Sequence, residues 1–80
     1  MFKPSSLTPL CAVSLVEIFQ EAGAPPGVLN LVTGAAQTVG RAIVEEKRIR
    51  AVSFTGGVEA GREIYSRAAK KLKRVALELG

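Results

Sequence analysis

The sequence of 80 residues contains no histidine, no tryptophan and a single cysteine, Cys11. One cysteine cannot form a disulfide within the chain, which is typical of proteins from a reducing compartment. Without histidine, the scattered carboxylates have no metal-ligand spacing. No apolar run approaches the roughly 20 residues that a transmembrane helix requires, and the first residues lack a signal-peptide pattern. We therefore expect a cytoplasmic protein that binds neither a metal ion nor a membrane.

Aromatic residues are also scarce, at 5%, in a chain with a net charge of +4. A late basic cluster could bind nucleic acid or an anionic membrane. Proteins that bind nucleic acid usually add aromatic side chains that stack on bases, and Tyr65 is the only aromatic residue nearby. We expect a solvated helix face, with a basic nucleic-acid-binding domain as an alternative. The cluster comprises Arg62, Arg67, Lys70, Lys71, Lys73 and Arg74.

Helical spacing of apolar residues predicts a first helix, with Thr8 as its N-cap and Pro9 at its first position. Gly23 supplies a left-handed stop. Cys11 belongs to the apolar stripe of this helix, so we interpret it as a core residue and not as a nucleophile. The stripe that we expect to be buried comprises Leu7, Leu10, Cys11, Ser14, Leu15, Ile18, Phe19 and Ala22.

Short apolar runs at Val28–Val32, Ala51–Phe54 and Arg74–Leu79 are typical of strands. Two helical patterns lie between them, a short one over 39–46 and a longer one over 60–72. This alternation favours a parallel sheet with covering helices. The chain opens at a helix cap and stops at the tip of a strand, so we expect it to be part of a larger domain.

Ligands of parallel sheets gather where strands run into helices. The stretch Phe54–Gly61 carries adjacent glycines before a helix, where backbone N–H groups could bind a pyrophosphate. The small side chains of Gly34–Gly40 could leave room for adenine, or serve tight packing. Neither stretch has a standard phosphate-binding motif, so ordinary turns remain an alternative. Glu78 could act as a general base or simply face water, and Lys3 could bind a ribose or phosphate or have no specific role.

Taken in order, these segments resemble the aldehyde dehydrogenase superfamily over essentially the whole chain. The resemblance implies an α/β fold, with a partial Rossmann-like parallel sheet of about three strands and flanking helices. It makes residues 1–80 part of a nicotinamide-cofactor-binding domain. The matching motifs are Lys3–Pro9, Glu21–Gly34, Val39–Gly40, Ser53–Gly57 with Gly61–Arg62, and Leu77–Gly80.

The resemblance also implies roles for single residues and NADP or NAD as the cofactor. Glu78 matches the general base that activates a thiol or water, and the Leu79 carbonyl meets the nicotinamide end. Residues of the adenosine side are Lys3, Ser5 and Ser6 at the ribose, with Gly34, Val39 and Gly40 at the adenine wall and helix turn. The turn that supports the pyrophosphate and the nicotinamide half is Phe54, Thr55, Gly56 and Gly57.

Two positions depart from the family pattern. Gly57 stands where the family usually has serine, and Ser6 stands where many members have glutamate. Cys11 matches nothing catalytic, and the family's nucleophilic cysteine would lie beyond Gly80. Ser6 together with Val32–Gly34 is similar to succinate-semialdehyde dehydrogenases.

The implied parent is an enzyme that oxidises an aldehyde to a carboxylic acid with NAD(P), and we expect it to be a homo-oligomer. The 80-residue chain alone should be inactive and prone to self-association. A small stand-alone binding module remains an alternative.

Overall fold

Two units of secondary structure follow one another in the chain, residues 1–40 and residues 41–80. The computed structural model describes all residues, 1–80. The first unit contains helix α1 (Pro9–Glu21) and a π-helical turn (Ala36–Gly40). The second contains α2 (Arg41–Glu45), β1 (Ala51–Gly56), α3 (Val58–Lys70) and β2 (Arg74–Leu79). None of these helices combines the length and apolar character needed to cross a bilayer.

Both ends of α1 lie close to where the sequence predicts them. Pro9 occupies the first turn, where its missing N–H leaves no hydrogen bond unmade. Thr8 is the N-cap residue, but its side chain makes no capping hydrogen bond. At the other end, Gly23 has a φ of +94°, and its N–H donates to the Gln20 carbonyl at 3.0 Å. The Ala24 N–H donates to Phe19 at 3.0 Å, which completes a Schellman motif and confirms the glycine stop.

The buried side of α1 differs from the predicted stripe. Ala12 is buried and Val16 half-buried, whereas Cys11 is exposed and Leu10 and Ile18 are 78% and 59% exposed. The prediction that Cys11 is a core residue is therefore wrong for this chain. Apolar residues are spread around most of the circumference of α1, so periodicity alone cannot show which of them pack within the unit.

The stretch predicted as the first strand, Val28–Val32, forms an isolated parallel bridge between Phe2 and Leu31. The Phe2 N–H donates to the Asn30 carbonyl at 2.7 Å, and the Val32 N–H donates to the Phe2 carbonyl at 2.9 Å. A bridge at one residue does not extend into a ladder, so the stretch is not a strand. The sheet holds two strands where about three were predicted, while the α/β class is confirmed.

The second unit matches the predicted order of strand, helix and strand. β1 and β2 pair in parallel, from Ala51 opposite Arg74 to Gly56 opposite Leu79. Exposed and half-buried residues alternate along both strands, and α3 covers the half-buried face. The helix predicted over 39–46 is the short α2, which packs on α3 and follows the π-helical turn.

Close approach of α3 to the sheet depends on Gly61. This glycine is buried, and a Cβ built on it would lie 2.6 Å from Cδ2 of Leu79. The neighbouring Ala68 is fully buried on the same helix. Small residues at these two positions let the helix backbone lie against β2, because a larger side chain would displace Leu79.

Exposed ion pairs connect α2 with α3. Glu63 accepts hydrogen bonds from Arg41 at 3.1 Å and from Arg67 at 3.2 Å, and these bonds hold the pKa of the Glu63 carboxyl below its usual value. Arg67 also pairs with Glu45. Exposed pairs of this kind stabilise a fold only slightly. They do show that Arg67, part of the late basic cluster, has carboxylate partners within the unit.

The bare part of α1 predicts how the isolated chain behaves. Leu10 and Ile18 expose apolar surface that water contacts unfavourably, so we expect the 80-residue chain to self-associate. Leu10→Ser combined with Ile18→Ser should shift sedimentation-velocity profiles towards monomer. Gln20→Ser, at an exposed polar position of the same helix, should leave them unchanged. The prediction would be contradicted if the unsubstituted 80-residue chain sedimented as a monomer at high concentration.

Candidate functional site

The segment that precedes α1 is held by its own hydrogen bonds. The Leu7 N–H donates to Oγ of Ser5 at 3.2 Å, and the Thr8 N–H donates to the Ser5 carbonyl at 3.1 Å. These bonds form a turn that directs the chain into the helix. Ser6 is exposed, and its Oγ donates to the carbonyl of Gly34 at 3.3 Å. The hydroxyl of Ser6 thereby joins two segments that are 28 residues apart in sequence.

Gly34 begins the second segment of this site and tolerates no side chain. Its φ of +143° lies in a region that side-chain-bearing residues rarely adopt, and a Cβ there would overlap the side chain of Val39. The carbonyl of Ala35 accepts the N–H groups of Thr38 at 3.3 Å and Val39 at 2.9 Å. The turn therefore presents bare backbone at Gly34 and fixes Val39 against it.

The two segments enclose a cleft of about 320 Å³. Ser5, Ser6 and Gly34 all line it. Lys3 is half-buried nearby, its Nζ donates to the Pro4 carbonyl at 2.9 Å, and its Cδ lies 3.9 Å from a Cβ built on Gly40. The other lining residues are Pro4, Pro9, Thr33 and Ala35.

Six residues named from the sequence thus lie together within residues 1–40. They are Lys3, Ser5, Ser6, Gly34, Val39 and Gly40. Pro4 is buried and also lines the cleft, although sequence reasoning gave it no role. Its rigid ring forms part of the wall of the cleft. Its place between Lys3 and Ser5, two residues that were named from the sequence, is the signal that could have identified it.

The second group of named residues lies where β1 and β2 end. Parallel register sets Thr55 beside Glu78 and Gly56 beside Leu79. Thr55 and Glu78 are exposed on the face away from α3, because strand side chains alternate between faces. The Glu78 side chain is therefore accessible to solvent, while the side chain of Leu79 packs on the opposite face.

Phe54 and Gly56 have linked roles at this strand end. A Cβ built on Gly56 would lie 2.5 Å from Cζ of Phe54, so the phenyl ring packs over the glycine backbone. Phe54 is half-buried on the face covered by α3. Its position supports the turn from within.

Gly57 is the N-cap of α3, with φ −72° and ψ 156°, and it makes no side-chain cap. A Cβ built there meets no atom within 4 Å, so the backbone is open to solvent. The first N–H groups of a helix have no partners within the helix and carry partial positive charge.

Sequence reasoning gave no site role to Gly61. The signal that could have predicted its close contact with Leu79 is an isolated glycine inside a helical pattern.

The sequence model of the aldehyde dehydrogenase family matches residues 1–80. The chain is 49% identical over 80 residues to a betaine aldehyde dehydrogenase of Cereibacter sphaeroides, covering 100% of this chain and 16% of that protein. The chain therefore spans about a sixth of the length of the curated relatives it matches.

Solved structures share the fold. An aldehyde dehydrogenase from Bartonella henselae superposes with a TM-score of 0.93 at 44% identity, over 98% of this chain and 16% of that one. A betaine aldehyde dehydrogenase from Staphylococcus aureus in complex with NAD⁺ gives 0.91 at 44% identity, and an NADP dependent enzyme from E. coli gives 0.93 at 46%. Each of these two matches covers 98% of this chain and 16% of the solved structure's chain.

The Gly34 contact predicts a large effect on stability. Gly34→Ala combines an unfavourable φ with overlap against Val39, and we expect it to lower the free energy of unfolding by roughly 2–5 kcal/mol. Gly27→Ala is the matched control, because Gly27 also has a positive φ but open space around it, and it should cost about 1–2 kcal/mol. Adding Val39→Ala should recover part of the Gly34→Ala loss. Equal losses for the two glycines in urea unfolding would show that the Val39 contact has no role.

Proposed function

The chain belongs to the aldehyde dehydrogenase family, and we propose that it forms part of the cofactor site of an enzyme that oxidises aldehydes with NAD or NADP. It would also supply the general base, Glu78. The observation that supports this function best is that one cleft brings Ser5 and Ser6 together with Gly34, which is distant from them in sequence. The enzyme would be a homo-oligomer with the aldehyde as its substrate.

The cleft has properties that suit the adenosine half of a dinucleotide. Its volume of about 320 Å³ falls within the range of small-molecule sites. Bare backbone at Gly34 permits a flat group to approach closely, and the Ser5 and Ser6 hydroxyls can exchange hydrogen bonds with a ribose. The Lys3 ammonium, now bonded to the Pro4 carbonyl, is a donor for the same sugar.

The start of α3 suits the anionic middle of the cofactor. Gly57 has no side chain, and the N–H groups of the first turn after it can donate to phosphate oxygens. The serine hydroxyl typical of the family is absent there, so phosphate binding would depend on backbone donors. Bound cofactor would supply the hydride acceptor.

Glu78 would act on the proton of a nucleophile. Its carboxylate is exposed at the end of β2, on the same sheet face as Thr55. A carboxylate there can accept a proton from a thiol or from a water molecule and release it later to solvent. Cys11 is exposed on α1 and belongs to the other unit, and we give it no role in the reaction.

The first prediction for the full-length protein concerns Glu78. Glu78→Gln keeps the size of the side chain but cannot accept the proton, so kcat should fall by roughly 10²- to 10⁴-fold. The Kd for the reduced cofactor, measured by fluorescence, should change little. Cys11→Ser is the control and should keep full activity. Normal turnover by Glu78→Gln would remove Glu78 from the proposal.

The second prediction concerns the choice between NADP and NAD. We propose that NADP is accepted at least as well as NAD, because Ser6 lines the cleft where many family members carry glutamate. A carboxylate there would repel a 2′-phosphate with roughly −1.5 to −2 charges. Unit charges about 4 Å apart interact by about 1 kcal/mol even in water, and ~1.4 kcal/mol corresponds to tenfold in affinity.

Ser6→Glu in the full-length protein tests that choice. The ratio of kcat/KM for NADP to that for NAD should fall by roughly tenfold or more, mostly through weaker NADP binding. Ser6→Ala removes the hydroxyl without adding charge, and it should change the ratio much less. An unchanged ratio for Ser6→Glu would mean that Ser6 does not face the ribose and that cofactor choice is set elsewhere.

A further inference from the structure

A second cleft, of about 520 Å³, lies at the end of the sheet where β1 and β2 begin. This is the opposite end from Thr55 and Glu78. The loops that enter the two strands form it, and most of its lining residues are cationic. These are Lys47, Arg50, Lys71, Lys73 and Arg74. We call it the basic cleft.

Little of this positive charge is neutralised within the chain. The nearby carboxylate of Glu46 accepts hydrogen bonds from Arg48, which lower its pKa to about 2, so it is already engaged. Lys73 donates from Nζ to the Glu46 backbone carbonyl. Arg50, Lys71 and Arg74 form no ion pair and no side-chain hydrogen bond within the chain.

An apolar side chain is held among these cations. Leu72 lines the basic cleft, is 93% exposed and has a φ of +54°, the one residue other than glycine with a positive φ. Left-handed conformation is unfavourable for leucine by roughly 1–2 kcal/mol. This conformation belongs to the Schellman motif that ends α3: the Leu72 N–H donates to the Ala69 carbonyl at 3.0 Å and the Lys73 N–H to the Ala68 carbonyl at 3.1 Å. Ile49, half-buried, adds a second apolar wall.

We propose that the basic cleft binds an acidic protein segment that carries an apolar side chain between its carboxylates. Carboxylates would pair with Arg50, Lys71 and Arg74, and the apolar side chain would cover Leu72. Complementary charge of this kind gives an interface its specificity and its rate of association.

Nucleic acid fits the basic cleft less well. No aromatic residue lines it, so bases have no stacking surface, and the cations occupy two loops instead of a groove that tracks a backbone. An exposed leucine adds nothing to the binding of phosphates. It does add favourable contact with a peptide side chain, because both surfaces leave water together.

The test uses the full-length protein and a fluorescein-labelled peptide, Glu-Glu-Leu-Glu-Glu, followed by fluorescence anisotropy at low salt. Lys71→Glu should weaken binding by about tenfold, since attraction becomes repulsion. Lys70→Glu is the matched control. Lys70 lies next to Lys71 at the end of α3 and is exposed, but it does not line the cleft, so this substitution should weaken peptide binding by less than about twofold. Leu72→Ser should weaken the peptide by roughly threefold or more.

Three results would overturn the proposal. The first is equal weakening by Lys70→Glu and Lys71→Glu, which would indicate attraction to overall charge alone. The second is tighter binding of a single-stranded DNA oligonucleotide of equal charge, unaffected by Leu72→Ser. The third is complete displacement of the peptide by an equal concentration of inorganic phosphate, which would indicate a small-anion site. If a reversal variant fails to fold, Lys71→Ala and Lys70→Ala make the same comparison.

Discussion

The parallel pairing of β1 with β2 is the constraint on which the second unit depends. Parallel strands need a crossover, and α3 provides it by running back along the half-buried face. The crossover fits closely because Gly61 has no side chain beneath Leu79. Once this packing is set, both strands must end at one edge. Thr55 then lies beside Glu78, and Gly56 beside Leu79, although the side chains of Thr55 and Glu78 do not hydrogen-bond to each other.

A different device holds the first unit together. Residues 1–40 have no paired strands, and a single bridge at Phe2 and Leu31 takes the place of a ladder. The cleft is therefore shaped by turns: the Ser5 turn before α1 and the Ala35-centred turn after Gly34. Turns of this kind depend on glycine and on short polar side chains, so the residues that shape the site and those that would touch a ligand are largely the same.

Local signals predicted the elements that are specified locally. Pro9 and Gly23 set the ends of α1, and the apolar run Arg74–Leu79 matches β2 at both ends. Properties that depend on distant partners were not predictable. Val28–Val32 has the composition of a strand but pairs with Phe2 at one bridge only, and α1 has more apolar surface than its own unit covers. The sequence motifs named six residues of the first unit that the structure brings together, because each motif marks a turn and those turns meet.

The two ends of the β1–β2 sheet differ in chemistry for a physical reason. Where the strands end, Gly57 is the N-cap of α3, whose first N–H groups have no partners within the helix, so a bound anion would be held by main-chain dipoles. Where the strands begin, no helix points its N-terminus at the opening, and positive charge can come only from side chains such as Arg50 and Lys71. Side-chain cations repel one another and are costly to crowd without a counter-charge. The left-handed Leu72 follows from the way α3 ends, so the reason for expecting an acidic partner there is the crowding of cations that have no counter-charge in the chain around an exposed leucine.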